Sequence, residues 1–282
     1  DLRQATAGGR IDYVLTNSGQ YVELEEKFGV SRIATLKKSF SDGVRNVFGA
    51  VIVARADRAD IRKLADLKGK VFGAVSRHAF GGFQMAWREL KAKKLNPFKM
   101  FSEIKFFGFP QDNILLAVRD GSVDAGTVRT DVLEAMAQQG VVNINDFRVL
   151  NRREVPGVNV ALSTRLYPEW PFAKMPHVSA ELSEKVAIAL LTLSADSPAM
   201  RDAKASGWTA PLDYKPVHDL FRELEIGPYA PGEVSLVDAI TAHWEWVVFA
   251  SVLLVLVILH GIRTEYLVQR RTRQLSAVNR EL

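Results

Sequence analysis

Up to about Leu224 the apolar residues of this chain fall into short clusters that alternate between two spacings. Val47 to Val53, Lys70 to Val75, Ile104 to Phe107 and Val158 to Leu162 are brief, nearly continuous apolar runs, the signature of buried strands. Between them, Ile61 to Leu67 reads as a short helix and Asp112 to Val118 as another, closed by Gly121. Phe83, Ala86, Trp87 and Leu90 recur at helical spacing and predict the core face of a helix. Ser179 stands where an N-cap belongs, ahead of a long helix whose Leu182, Val186, Leu190 and Leu193 are expected to form a buried stripe. Strands alternating with helices predict an α/β fold with mostly parallel sheets.

One short pattern occurs twice. Gly9-Arg10-Ile11-Asp12 leads into Tyr13 to Asn17, and Gly121-Ser122-Val123-Asp124 leads into Ala125 to Arg129. In each, glycine supplies the positive φ that ends a helix, and the apolar residues after Asp enter a strand. Two such units predict two lobes, the first of about residues 1–55 and 148–228, the second of about 56–147. Ligands of open parallel sheets sit beyond the carboxyl ends of the strands. Opposed lobes would then enclose a cleft with Thr16 and Asn17 on one wall and Ser76 to Gly82, Thr127 and Arg129 on the other.

The pattern changes at Trp244. From there to Ile262 the chain is apolar over about nineteen residues, roughly 28 Å of helix, which matches the hydrocarbon core of a bilayer. Arg263, Arg270, Arg271, Arg273 and Arg280 follow this run, whereas Pro228 to His243 carries no Lys or Arg. That asymmetry predicts one transmembrane helix over 244–262, with the large domain outside. Residues 229–243 read as a linker and 263–282 as a juxtamembrane helix. Val268, Leu275 and Leu282 are seven apart, with Arg271 and Val278 between them, so the tail reads as the start of a coiled coil or as a solvated helix. A coil would imply a homodimer and an output module further along the chain.

Composition narrows the function classes. The formal charge of +5 is mild, and no long basic stripe alternates with aromatics, so nucleic acid is not a natural partner. There is no cysteine, which excludes disulfides and thiol redox chemistry. No secretory leader opens the chain, which begins at Asp1 within a helical pattern and is therefore expected to be a mature form or a fragment.

The candidate chemistry centres on Ser76-Arg77-His78-Ala79-Phe80-Gly81-Gly82, which joins a strand to the Trp87 helix. A helix N-terminus carries partial positive charge and unpaired N–H donors, and Arg77 and His78 add cationic or donor side chains. An anion is the expected guest; the alternative is a tight turn with solvated side chains. Arg129 either reaches the same cleft or pairs with Asp131 or another surface acid. Gln111 is a further cleft candidate, Asp112 reads as a first-turn helix stabiliser, Asn159 as either a ligand donor or a turn residue, and His177 as structural. No metal-ligand spacing joins the five histidines, and no nucleophile-elbow pattern is present, so neither a metal site nor a catalytic residue is expected.

Ala65-Asp66-Leu67-Lys68-Gly69-Lys70, the glycine-bearing loop and Gly121-x-Val123-Asp124-Ala125 resemble the phosphate/phosphonate-binding periplasmic proteins of ABC transporters, over about residues 2 to 225. Phe80-Gly81-Gly82, Ala125 to Thr130 and Ser163 to Phe172 are more similar to the sensor part of membrane histidine kinases of the tetrathionate-sensor type. The resemblance implies a two-lobed periplasmic-binding-protein fold that senses a small sulfur oxyanion. It also implies a kinase module downstream that uses ATP and a response regulator, with no cofactor in these residues. A membrane-tethered solute-binding protein of a transporter is the alternative. Two departures stand out: Val158 occupies the place of an acidic residue that meets an aminophosphonate ammonium in the transporter proteins, and Ala79-Phe80-Gly81 replaces their Ser-Thr-Ser. The family's first strand is also missing before Asp1, which leaves one lobe incomplete on this reading.

Overall fold

Two five-stranded sheets and a two-stranded one share the residues up to Ala230 in the computed structural model, which describes residues 2–231 and 244–278. In chain order the strands are β1 (Tyr13–Leu15), β2 (Ser31–Phe40), β3 (Gly43–Arg45), β4 (Val47–Phe48), β5 (Ala50–Arg55) and β6 (Val71–Ala74). There follow β7 (Glu103–Phe106), β8 (Ala125–Arg129), β9 (Phe147–Leu150), β10 (Tyr167–Pro168), β11 (Pro171–Lys174) and β12 (Ala205–Thr209). One sheet runs β1-β11-β2-β12, with β3 beside β2; the other runs β7-β6-β8-β5-β9, and β10 pairs with β4 alone.

The expectation of mostly parallel sheets is corrected. Only β6 with β7 and β6 with β8 pair in parallel; every pair of the first sheet is antiparallel, and β5 lies reversed between β8 and β9. The reason is topological, because strands that carry the chain from one sheet into the other enter against the direction of the strands already there. It also moves the lobe boundary, since β5 and β9 both belong to the second sheet. The predicted strand Val158 to Leu162 is absent as well, and only an isolated bridge joins Val155 and Val158. Val160, Ala161 and Leu162 are nevertheless buried, and Leu162 O accepts from Arg153 N at 2.8 Å.

Burial along β5 shows how the second sheet is covered. Val51 and Val53 face a core with Ile114, Leu115 and Val118 of the helix Asp112–Arg119. Ile52 and Ala54 face another with Phe72, Phe83 and Leu90. Alternate residues of one strand feeding two cores is what a sheet packed on both faces requires, and each fully buried aliphatic contributes about 1.5–3 kcal/mol. The first sheet packs against the helices Ser18–Phe28 and Lys215–Leu224 through Tyr21, Leu24, Leu220 and Phe221. Ser179 caps the helix Ala180–Leu191 as its position predicts, but Leu182 is exposed, because that helix turns Ser183 toward the protein.

The two glycine turns take the conformation read from the repeat, with φ of 61° at Gly9 and 74° at Gly121. The aspartates that follow them have diverged in use. Asp12 meets His177 Nε2 at 2.9 Å, whereas Asp124 accepts from Val71 N at 2.8 Å and Arg58 Nη1 at 2.6 Å, tying the turn to β6. Burial pushes the Asp124 carboxyl up, but those two donors outweigh it and hold it below the usual carboxylate range.

Side-chain hydroxyls tie the two crossings between sheets. Ser163 Oγ accepts from Ile52 N at 2.9 Å and donates to Leu150 O at 2.7 Å, while Thr164 Oγ1 accepts from Ala50 N at 2.9 Å. Gly49 lies at the tightest point: a Cβ there would stand 2.5 Å from Leu162 Cδ1 and 2.9 Å from Thr164 Oγ1.

The remaining described unit is a helix, Trp244–Val278, which contains the apolar run of the sequence. Among the described residues no helix is long and apolar enough to cross a membrane. The linker residues 232–243 and Leu282 of the heptad reading lie outside the described residues.

Gly49→Ala is expected to lower stability by about 1–3 kcal/mol, read as a lower thermal midpoint, because the methyl overpacks the crossing. An unchanged midpoint would show that the crossing is not tight. Asp124→Asn is expected to destabilise at neutral pH. Because the folded carboxyl is held low, its contribution is complete above about pH 4 and fades as pH falls through the folded value, so wild type and variant should converge in acid. Denaturant midpoints measured across that range check the convergence.

Candidate functional site

β6 runs out at Ala74, and the chain turns through Ser76 to Ala79 into a helix that opens with a π turn, Phe80–Gln84, and continues as Met85–Ala92. Ala79 offers no side-chain cap, so the first-turn N–H groups of this helix remain as donors. The turn packs closely: a Cβ on Gly82 would stand 2.4 Å from Val75 Cγ2, and one on Gly81 would stand 3.0 Å from Phe48 Cε2. Packing alone therefore demands the glycine at position 82 and leaves little room at 81.

In front of this helix start lies a cavity of about 360 Å3. Asn17 and Trp170 of the first-sheet side line it, with Phe48 at the crossing; Ser76, His78 to Gly82, Phe109, Gln111 and Arg129 complete the wall. Two amides have their polarity fixed by backbone partners. Asn17 Oδ1 caps the helix Ser18–Phe28 by accepting from Gln20 N at 3.0 Å, and Gln111 Oε1 accepts from Arg129 N at 2.8 Å. With both oxygens engaged, it is the NH2 groups that remain for a guest.

Arg129, at the carboxyl end of β8, is the cavity's cation. It pairs with Glu169, whose side chain is fully buried, and its guanidinium lies 4.0 Å from the centroid of the Phe48 ring. Burial pushes the Glu169 carboxyl up from its ordinary range, while Arg129 and Lys38 pull it back. Burial likewise lowers the Lys38 ammonium, with Arg129 adding to the effect. The alternative partner Asp131 instead accepts from Ser41 N at 2.8 Å.

Eight candidates from the sequence thus meet in one cavity: Asn17, Ser76, His78, Phe80, Gly81, Gly82, Gln111 and Arg129. Four do not. Thr16 is buried just ahead of the helix Ser18–Phe28, with Oγ1 donating to Gln20 Oε1 at 2.5 Å. Thr127 lies two residues, about 6.6 Å, behind the end of its strand and donates to Val51 O at 3.1 Å. Arg77 is exposed and stacks over Phe98 with its guanidinium 4.5 Å from the ring centroid, so it does not converge with Arg129. Asn159 sits in the open loop 152–160, where its N–H donates to Asp42 Oδ2 at 2.7 Å. Among the described residues no group of three or more histidines or acids stands ready for a metal ion.

Sequence reasoning did not place Phe48, Phe109 or Trp170 at the cavity, or Glu169 as the partner of Arg129. Phe109 carried one signal, a phenylalanine in a loop between Gly108 and Pro110, and it is 77% exposed. Glu169 carried another, as an acid within the apolar stretch Tyr167 to Phe172.

Glu169→Ala would leave Arg129 buried without a counter-charge and is expected to cost about 3–5 kcal/mol, with Glu169→Gln less damaging because it keeps an acceptor. Urea unfolding midpoints test this; equal midpoints for the two variants would mean that the acceptor itself contributes nothing.

Comparison with known proteins agrees with this architecture. The family described as ABC transporter, phosphonate, periplasmic substrate-binding protein matches residues 1–215. The tetrathionate sensor histidine kinase of Salmonella typhimurium is 35% identical over 229 residues, which make up 80% of this chain but 37% of that protein. A Xanthomonas citri protein bound to chloride ion superposes with a TM-score of 0.62 at 17% identity, over 79% of this chain and 80% of its own. A binding protein component of an ABC phosphonate transporter from Pseudomonas aeruginosa gives 0.59 at 16% identity, over 89% of this chain and 82% of its own. A Prochlorococcus marinus protein in complex with methylphosphonate gives 0.58 at 15%, over 78% and 81%. With the family match spanning both sheets and these structures sharing the fold, the chain belongs to the phosphonate-type periplasmic substrate-binding family.

Proposed function

We propose that this chain is the extracytoplasmic sensor region of a two-component histidine kinase, and that its cavity takes a small oxyanion, with tetrathionate or a related sulfur oxyanion as the leading guest. The observation that carries this reading is the polarity of the lining. First-turn N–H groups, the Asn17 and Gln111 amides, the Ser76 hydroxyl, His78 and Arg129 all present donors, and no Asp or Glu lines the cavity. Such a wall stabilises negative charge and offers an ammonium nothing to pair with. Val158, the departure from the aminophosphonate pattern, lies in the separate loop 152–160.

Similarity to a tetrathionate sensor histidine kinase supports a signalling role. In this reading the anion bridges the walls contributed by the two sheets, and its differential affinity for open and closed arrangements biases an equilibrium. The sequence run Trp244 to Ile262 serves as the anchor in the inner membrane, and a dimer passes the change to a kinase module that uses ATP and addresses a response regulator.

Titration calorimetry with tetrathionate, thiosulfate, phosphate and methylphosphonate tests the binding step. At least one of these anions is expected to bind without turnover. The double variant Arg129→Ala, Glu169→Ala, which removes both buried charges together, is expected to weaken that binding about tenfold or more. Undiminished affinity in the folded double variant, or formation of product, would overturn the proposal.

A further inference from the structure

The cavity is more aromatic than a plain anion requires. Four of its lining residues are Phe48, Phe80, Phe109 and Trp170. Phe48 and Phe80 are buried and packed on one another with centroids 6.2 Å apart, and Phe80 also meets Tyr167 and Phe221, so these two rings belong to the core. Phe109 and Trp170 differ. They are 77% and 37% exposed, and among the described residues neither ring has an aromatic partner. Both line the cavity without another ring of the protein against them.

Charge points the same way. Arg129 is engaged by Glu169 on one side and by the face of Phe48 on another, so the positive field offered to a guest is partly cancelled before any guest arrives. A compact, strongly hydrated oxyanion such as sulfate or phosphate must exchange its hydration shell for donors on every side. This cavity offers donors from the helix start, Asn17, Gln111 and Arg129, but fills much of the remaining wall with aromatic carbon. Its volume of about 360 Å3 also falls in the range of sites for guests well larger than a single tetrahedral oxyanion. An oxyanion with a charged end and a polarizable body satisfies both parts, because sulfur or aryl groups gain contact energy against aromatic rings while the oxygens take the donors.

Resting on the anion-binding reading, we infer that the cavity selects elongated oxyanions with a polarizable body over compact ones, and that Phe109 and Trp170 are its specificity-determining residues. The helix start and the amides hold the charged end; the two free rings close on the body.

Calorimetry on the 282-residue chain with tetrathionate, phenylphosphonate, sulfate and phosphate tests this, in wild type and in Phe109→Ala and Trp170→Leu, with thermal midpoints confirming that each variant is folded. Tetrathionate and phenylphosphonate are expected to bind at least about tenfold more tightly than sulfate and phosphate. Each substitution should cut that preference by about 3- to 10-fold, the worth of one aromatic contact. Compact anions binding as tightly as the elongated pair would overturn the selectivity while leaving anion binding in place. So would phenylphosphonate binding no better than phosphate, or variants that weaken all four anions equally. Binding of none of the four would remove the anion reading itself.

Discussion

The pairing of Arg129 with Glu169 is the interaction on which the cavity depends. A guanidinium at the carboxyl end of β8 can face a guest only if its charge is tolerated in a largely buried setting, and a fully buried carboxylate makes that possible. The pair also links material 40 residues apart, from the strand end of one sheet to the segment that leads into the other. Around it the protein is bound by hydroxyls. Tyr214 Oη donates to Glu169 O, and Ser163 and Thr164 hold the crossing strands edge to edge. Site and scaffold are thus one hydrogen-bonded fabric rather than loops resting on a core.

Much of the fold was legible because it rests on local rules. The glycine turns at Gly9 and Gly121, the serine cap at Ser179 and the buried runs of β6 and β8 follow from φ preference, capping and burial, which a short window reveals. Strand direction was not legible in the same way. A strand buried on both faces has the same composition whether it runs with its neighbours or against them, so β5 gave no sign of its reversal. The helix Ala180–Leu191 is apolar on much of its circumference, and the pattern could not say that Leu182 would face outward.

The site shows the same division. The backbone positions of Gly81, Gly82 and Gln111 followed from a strand, a turn and a helix start in succession. Long side chains did not follow, because their direction is chosen by partners remote in sequence. Arg77 settles on Phe98, and Arg129 on Glu169 and Phe48. Threonines near strand ends looked equivalent in sequence, yet Thr16 and Thr127 spend their hydroxyls inside the protein.

The cap at the start of the helix Ser18–Phe28 has a wider implication. Aspartate begins a helix as well as asparagine does, so the folding of this helix places no demand on which of the two stands at position 17. An anionic guest would distinguish them, since only the amide offers a hydrogen as well as the capping oxygen. On the proposed anion reading, one atom of one side chain carries a ligand preference at a place where helix stability alone is indifferent.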